Sequence, residues 1–185
     1  MPAPAQTSTD AIVAAGRRIL EERGAGALTM RDIAEAVGVR APSLYKRVRD
    51  RTDLVRLILE NVTDELVETL DKAASSGDPA QDLKAMADAY RAFAHANPAA
   101  WALLNGPQYQ SIPGATERSV RSSAMLLTTI AAVAGEKDAL PAARTLTPWV
   151  QGFITMELSG AFHLGGDIED AWRFGLDRLL AAIRQ

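Results

Sequence analysis

Residues 28–56 carry the clearest pattern in the chain and read LTMRDIAEAVGVRAPSLYKRVRDRTDLVR. Thr29 precedes a helical run of apolar residues, and Asp32 follows three residues later, as in a capping box at the start of a helix. Gly38 ends this short helix, and Pro42 suits the first turn of the next one, where a missing N–H costs nothing. The spacing therefore predicts two short helices joined by a tight turn, a helix-turn-helix.

Helical patterns continue on both sides of this stretch. Apolar residues recur at three- and four-residue intervals, and no segment alternates like a strand or carries a hairpin signal. We therefore expect an all-α fold of about nine helices, the first capped by Thr9 or Asp10. The helices are predicted at roughly 10–22, 30–37, 42–48, 52–74, 79–96, 99–105, 116–134, 138–164 and 167–183.

The composition excludes several classes of protein. With 48% apolar and 23% charged residues, the chain can bury a core and does not read as disordered. It contains no cysteine, which excludes disulfides and thiolate metal sites, and His95 and His163 lie far apart. We expect no metal ion and no cofactor. No signal peptide is visible and the longest near-apolar stretch, residues 124–134, is too short to span a bilayer, so we expect a cytoplasmic protein without membrane contact.

Charge is divided unequally along the chain. Residues 1–56 carry ten Lys and Arg against seven Asp and Glu, whereas residues 57–185 carry ten against sixteen. A basic end on an acidic body is typical of a chain that meets DNA phosphates at one end, although chance asymmetry is the alternative. The outer face of the second short helix would present the donors Arg40, Ser43, Lys46 and Arg47. These groups can bind base edges or phosphates in a major groove, or they form a solvated basic face of an ordinary bundle.

The stretch resembles the DNA-binding head of the TetR/AcrR family of regulators, and the resemblance extends over residues 9–60. The matching positions are Thr29, Ile33, Ala34, Gly38, Leu44, Tyr45, Val48, Arg51 and Leu54. The chain departs from the family at Arg47-Val48, where His-Phe is frequent. The resemblance implies a homodimeric transcriptional repressor and not an enzyme. We accordingly expect a disordered tail over 1–8, a DNA-binding domain over 9–51 and a ligand-binding and dimerisation domain over 52–185.

The resemblance also implies contacts for individual residues. Thr29 and Tyr45 correspond to contacts with backbone phosphates, and Arg51 corresponds to the basic residue that holds a phosphate at the start of the fourth helix. Arg47 is expected to add a phosphate contact, and a core aromatic is the alternative for Tyr45. The positions at or beside the base edges correspond to Arg40, Ala41, Pro42, Ser43 and Lys46.

The C-terminal half carries a weaker resemblance. Trp149-Val-Gln-Gly152 is similar to the motif of the subgroup named for Trp-His-Gly, with Gln151 in place of the His. Because family members pair their last two long helices across a two-fold axis, helices 138–164 and 167–184 are expected to form a dimer interface. Packing within one subunit is the alternative. The expected interface residues are Trp149, Gly152, Gly160, His163, Trp172, Gly175 and Leu179.

Large apolar and aromatic side chains in the C-terminal body suggest a pocket for a drug-like or lipid-like ligand. Ordinary core packing is the alternative for these side chains. Glu157 is the candidate polar anchor, and a structural hydrogen-bonding role is its alternative. The expected lining residues are Met86, Tyr90, Phe93, Trp101, Tyr109, Met125, Phe153, Met156 and Glu157.

We therefore expect a repressor that a small apolar or aromatic ligand releases from a palindromic DNA operator. One alternative is a helical interaction module without specific DNA binding, which the basic residues between Arg40 and Arg51 disfavour. Another is an all-α enzyme, for which the sequence offers no nucleophile motif, no Gly-rich phosphate loop and no cluster of His and carboxylates.

Overall fold

The computed structural model describes residues 8–107 and 111–184, and within these ranges it contains nine α-helices, a short 3-10 turn at Ala25–Ala27 and no strand. The predicted all-α fold is confirmed. The helices are α1 Thr9–Arg23, α2 Met30–Ala36, α3 Ala41–Leu44, α4 Arg51–Ala73, α5 Pro79–Ala96, α6 Pro98–Asn105, α7 Ala115–Ala134, α8 Ala139–Leu158 and α9 Ile168–Ile183.

Two compact units make up the described chain. The head unit comprises the residues up to Glu65 together with Asn97–Arg118, and it holds α1 to α3, most of α4, α6 and the start of α7. The body unit comprises Leu66–Ala96 and the chain from Ser119 onward, with α5, α8, α9 and the rest of α4 and α7. The predicted domain boundary between residues 51 and 52 stays a prediction, because a compact unit need not coincide with a functional domain.

The core of the head unit is built around α1. Ile12 and Leu20 are fully buried, and Gly16 lies between them on the same helix. A Cβ at Gly16 would come within 2.6 Å of Ile58 Cδ1 on α4 and 3.6 Å of Ile33 Cδ1 on α2. The absence of a side chain at this position therefore allows three helices to meet closely.

Side-chain and glycine caps define the ends of the head helices. Ser8 Oγ accepts a hydrogen bond from the Ala11 N–H at 3.1 Å, so the cap of α1 is Ser8, not Thr9 or Asp10 as predicted, and Ser8 is ordered rather than part of a tail. Residues 1–7 of that predicted tail lie outside the described residues. Thr29 caps α2 as predicted, and Gly38 has a φ of +70°, a left-handed conformation that favours glycine.

Helix α8 ends six residues earlier than predicted. It stops at Leu158, and Gly160 follows with a φ of +66°. The Ala161 N–H turns back to the Met156 carbonyl at 2.8 Å, which satisfies a carbonyl at the helix end. Gly160 therefore terminates α8, and the predicted helix over 138–164 was too long because this signal was not recognised.

An aromatic cluster forms the core of the body unit. The Trp172 Nε1–H donates to Asp88 Oδ1 at 2.6 Å, and its ring stacks on Trp149 with centroids 5.3 Å apart. The ring of Phe153 meets Trp172 edge-on at 5.2 Å, and a Cβ at Gly175 would overlap the Trp149 indole. Trp172 is only 1% exposed within one chain. Both residues thus pack against side chains of their own subunit, and the contacts with a partner subunit that were expected of Trp172 and Gly175 stay a prediction.

Arg91 lies beside this aromatic cluster and forms an ion pair with Glu157. Arg91 donates from Nε and Nη2 to the Glu157 carboxylate at 2.8 and 2.6 Å, and from Nη1 to Glu169 at 2.6 Å. His95 Nε2 lies 3.0 Å from Glu157 Oε2, and the guanidinium carbon of Arg91 lies 5.0 Å from the Trp172 ring. The hydrogen bonds from Arg91 hold the pKa of Glu157 below its ordinary value, although burial opposes this shift. The structural role proposed as the alternative for Glu157 is thus favoured over a ligand anchor.

Replacement of Gly175 by alanine is expected to destabilise the protein, because the added methyl overlaps the rigid Trp149 ring. Such overpacking costs about 1–3 kcal/mol. Gly26 is the control: it is exposed in the 3-10 turn at Ala25–Ala27 and no atom lies within 4 Å of the position that a Cβ would take, so alanine there should leave stability nearly unchanged. Thermal unfolding of Gly175→Ala and Gly26→Ala checks this, and equal losses in the two variants would contradict it.

Glu157→Gln is expected to destabilise the protein by about 3 kcal/mol at neutral pH, because Arg91 loses its bidentate partner and its own side chain is only 15% exposed. The folded-state pKa of Glu157 is lowered, so its contribution is complete above the ordinary value of 4.5 and is lost as the pH falls below it. The difference in unfolding free energy between wild type and variant should therefore shrink below pH 4.5. Exposed Glu136→Gln is the control, and a pH-independent difference would refute the assignment.

Candidate nucleic-acid interface

The helix-turn-helix places its second helix with one face inward. Helix α3 is a single turn, and Leu44 and Val48 are buried at 0% and 1% exposure. Burial of these two side chains turns the intervening Tyr45, Lys46 and Arg47 to the surface, where all three are exposed. This segment therefore presents an aromatic hydroxyl and two cations side by side.

Tyr45 is 54% exposed, and the interpretation of this residue as a core aromatic is therefore wrong. The hydroxyl of an exposed tyrosine remains available to a phosphate oxygen. Val48, which stands where the family often has Phe, occupies the core in its place. The departure at Arg47-Val48 thus keeps the inward contact and adds an exposed cation.

The remaining predicted base-facing residues lie around the start of α3. Arg40 occupies the N-cap position in an extended conformation and is exposed, as is Pro42. Ala41 and Ser43 are half-buried. The first turn of α3 therefore offers small side chains flanked by a long basic one, which suits close approach of the helix end to base edges.

Thr29 is occupied as a helix cap. Its Oγ1 accepts from the Asp32 N–H at 3.1 Å and its hydroxyl donates to the Asp32 carboxylate. Arg23 adds an ion pair to Asp32 at 3.0 Å. The hydrogen bond from Thr29 is the main cause that holds the pKa of Asp32 below its ordinary value, with Arg23 second. The expected phosphate contact of Thr29 stays a prediction.

Arg51 braces the backbone of the head unit. Its Nε–H donates to the Leu28 carbonyl at 2.9 Å and its Nη2 donates to the Ala25 carbonyl at 2.8 Å. Two of its donors therefore hold the segment between α1 and α2, a role for which the sequence carries no local signal. The phosphate contact expected of Arg51 also stays a prediction.

The start of α4 is stabilised by two carboxylates. Asp50 Oδ1 accepts from the Asp53 N–H at 2.8 Å. Asp53 in turn accepts from the Arg49 N–H at 3.0 Å and from the Arg56 guanidinium at 2.8 and 3.0 Å. Burial alone would raise the pKa of Asp53, but these hydrogen bonds outweigh it and lower the pKa. Arg49, whose side chain is 80% exposed, is a cation beside Arg47 that the prediction of site residues had omitted.

The predicted pocket residues are distributed over both units. Met86 and Phe93 are buried in the body unit, whereas Trp101 is buried in the head unit. Met156 is 45% exposed, so it does not line an enclosed pocket within the single chain. Tyr109 lies outside the described residues. Half-buried positions are occupied by Tyr90, Met125, Phe153 and Glu157.

An open groove of about 570 Å³ lies between α1 and α2 of the head unit and contains none of the predicted pocket residues. It is lined by Ala11, Ala14, Ala15, Arg18, Glu35, Ala36, Val37 and Gly38. Among the described residues, no group of three or more His, Asp or Glu side chains is arranged to hold a metal ion. No helix in the described ranges is long and apolar enough to cross a membrane.

Comparison with known proteins places both parts of the chain in one family. The family described as bacterial regulatory proteins, tetR family, matches residues 12–58. The domain described as tetracyclin repressor-like, C-terminal domain, matches residues 83–179, which is just over half of the chain. The predicted subgroup with the Trp-His-Gly motif stays a prediction.

Named relatives and solved structures agree with this assignment. The HTH-type transcriptional regulator Rv1816 of Mycobacterium tuberculosis is 37% identical over 111 residues, which are 57% of this chain and 47% of that protein. The chain thus spans about half the length of the curated relatives that it matches in this way.

Two solved structures share the fold at low sequence identity. A protein of unknown function from Rhodococcus sp. RHA1 has a TM-score of 0.83 and 22% identity, with 96% of this chain and 95% of that chain covered. A TetR variant from Acinetobacter baumannii AYE in complex with minocycline has a TM-score of 0.68 and 24% identity, with 95% of each chain covered. The chain therefore belongs to the tetR family of bacterial regulatory proteins, which are helix-turn-helix transcriptional regulators and not enzymes.

Proposed function

We propose that this regulator is a homodimeric repressor that binds a palindromic operator through α2 and α3 and leaves it when a small apolar or aromatic effector binds. The observation that carries the proposal is the exposed Tyr45-Lys46-Arg47 segment, which buried Leu44 and Val48 hold outward. Chromosomal DNA is the ligand that fits an exposed phenol and adjacent cations on a helix-turn-helix. Such a repressor works in the cytoplasm.

In this proposal α3 enters the major groove from its N-terminal end. The residues at or beside base edges are Arg40, Ala41, Pro42, Ser43 and Lys46. Tyr45 and Arg47 contact the flanking phosphates. Thr29 and Arg51 contact phosphates as well, either after their present hydrogen bonds rearrange or through donors that these hydrogen bonds do not use. Arg49 joins the phosphate contacts, because its side chain is exposed next to this segment.

The proposed dimer is supported by the spacing of successive major grooves in DNA. Two copies of α3 related by a two-fold axis reach successive major grooves when they are about 34–36 Å apart, and the operator is then a palindrome. Helices α8 and α9 supply the interface, and Phe174 on α9 is 66% exposed although it is a large apolar residue. The predicted interface residues are Trp149, Gly152, Gly160, His163, Trp172, Gly175 and Leu179.

An effector is supported by two observations. The buried Nε1–H of Trp101 has no hydrogen-bond acceptor among the described residues, so a ligand with a carbonyl, ether or ring nitrogen would satisfy it. A TetR variant of similar fold has been solved in complex with minocycline. An effector releases the operator only if it binds the DNA-free state more tightly, so a compound that saturates the protein without changing operator affinity is not the effector.

One experiment distinguishes the proposed repressor from the alternative, an interaction module without specific DNA binding. Purified protein is titrated with DNA from upstream of its own gene and with scrambled DNA of equal length, across a salt series. A footprint over a palindrome and a steep fall of affinity with salt support the repressor. Weak binding that is equal for both DNAs supports the interaction module.

Lys46→Ala is expected to weaken operator binding by about 1–3 kcal/mol, because it removes an exposed cation from the groove-facing segment. Arg47→Ala should weaken operator and scrambled DNA alike and reduce the salt slope by about 1, as loss of a phosphate contact does. Exposed Lys137→Ala, between α7 and α8, is the matched control with the same residue type and the same loss of charge. Equal effects of Lys137→Ala and Lys46→Ala would contradict the assignment.

Phe174→Glu is expected to shift the dimer towards monomers and to weaken operator binding, because it puts a charge into an apolar interface. Val120→Glu on α7 is the matched control, since Val120 is equally exposed at 66% but lies outside the proposed interface. Sedimentation equilibrium and operator titration check both variants. A Phe174→Glu protein that stays dimeric would remove α9 from the interface.

A further inference from the structure

The N-terminus of α6 is capped by a residue of another helix. The Glu21 carboxylate on α1 accepts from the Ala99 N–H at 3.0 Å and from the Ala100 N–H at 2.8 Å. Pro98, the first residue of α6, has no N–H, and the Trp101 N–H bonds to the Asn97 carbonyl at 2.8 Å. Glu21 therefore satisfies both amides at the start of α6 that lack an intrahelical acceptor, and its charge suits the positive end of the helix.

The residue that would ordinarily cap α6 is held by α1 as well. Asn97 makes no side-chain cap, and its Oδ1 accepts from Arg17 Nη2 at 2.9 Å. Arg17 also donates from Nη1 to Asn61 at 3.1 Å and to the Glu65 carboxylate on α4. Arg17 and Glu21, one helical turn apart, thus bind the start of α6 together, and we call this pair the α1–α6 clamp.

The clamp lies on the helix that supports the helix-turn-helix. Gly16 of α1 makes the close approach to Ile33 of α2 and Ile58 of α4. Asn97 is the only residue between α5, which ends at Ala96, and α6. The clamp therefore fixes the start of α6, where the chain arrives from α5, to the helix against which the DNA-reading element packs.

We propose that Arg17 and Glu21 are positioning residues whose closed clamp belongs to the operator-binding state, so that release of α6 from α1 lowers operator affinity. This inference rests on the proposed operator binding. Linkage then requires the reverse effect as well: operator binding must stabilise the clamp by the same factor by which the clamp raises operator affinity. A purely structural cap would stabilise the fold without this reciprocity.

The first test substitutes Glu21 in the full-length protein. Glu21→Gln removes the charge and leaves a single acceptor oxygen for two amides. Glu22→Gln is the control, because Glu22 is the next residue of α1, is exposed and has the same charge. We expect about a tenfold loss of operator affinity for Glu21→Gln, within the range of typical couplings, and less than about a twofold change for Glu22→Gln. Both are measured well below their unfolding temperatures.

The second test needs no variant and therefore holds even if Glu21→Gln folds poorly. Amide hydrogen exchange is followed at Ala99 and Ala100 in the wild-type protein, with and without operator. We expect the operator to slow exchange at both amides by about tenfold, the same factor as in the affinity measurement. In Glu21→Gln the operator should no longer slow it.

The outcomes separate the inference from the function on which it rests. Specific operator binding by wild type, with unchanged affinity in Glu21→Gln or with exchange at Ala99 and Ala100 unaffected by operator, overturns the clamp alone. A lower unfolding temperature of Glu21→Gln with unchanged operator affinity reduces Glu21 to a structural cap. Failure of the wild type to distinguish operator from scrambled DNA overturns the proposed function and the clamp with it.

Discussion

The close approach of α1 to α2 and α4 is the constraint on which the head unit depends. At Gly16 no side chain separates α1 from Ile33 and Ile58, so the helices meet at a distance that a larger residue would forbid. Once these helices are fixed, Leu44 and Val48 are buried beneath α3 and the residues between them face solvent. The surface offered to DNA is thus a consequence of packing beneath it.

The body unit depends on a different interaction, the pairing of the Arg91 charge beside aromatic rings. Arg91 lies beside Trp172 and is only 15% exposed, so it needs partners that compensate its lost hydration. Glu157 and Glu169 supply them from two further helices. The group that a search for ligand anchors would select is therefore occupied in joining α5, α8 and α9.

These two constraints bear differently on function. In the head unit, residues that stabilise the fold lie next to residues that are expected to contact DNA. Arg51 and Thr29 make hydrogen bonds to the backbone at positions where the family resemblance suggests phosphate contacts. In the body unit, Trp172 is buried and Gly175 lies against the Trp149 ring, so both residues contribute to packing within the subunit. Membership of the tetR family describes the fold and the class of activity, while operator and effector are matters for the experiments above.

Local signals in the sequence were sufficient to predict the helix-turn-helix, because helix caps and turns depend on only a few neighbouring residues. Thr29 with Asp32 marked the start of α2, Gly38 its end and Pro42 the first turn of α3, but α3 stops at Leu44 and not at residue 48 as predicted. The apolar spacing indicated the other helices, with the largest error at Gly160. The outward position of Tyr45 needed the fold, because periodicity cannot separate a core aromatic from a surface one in a single turn of helix. The same holds for partners that lie far apart: Glu21 caps α6 across 78 residues and Arg91 pairs with Glu157 across 66. Only the packing of remote segments brings such groups together, and no local pattern of residues encodes it.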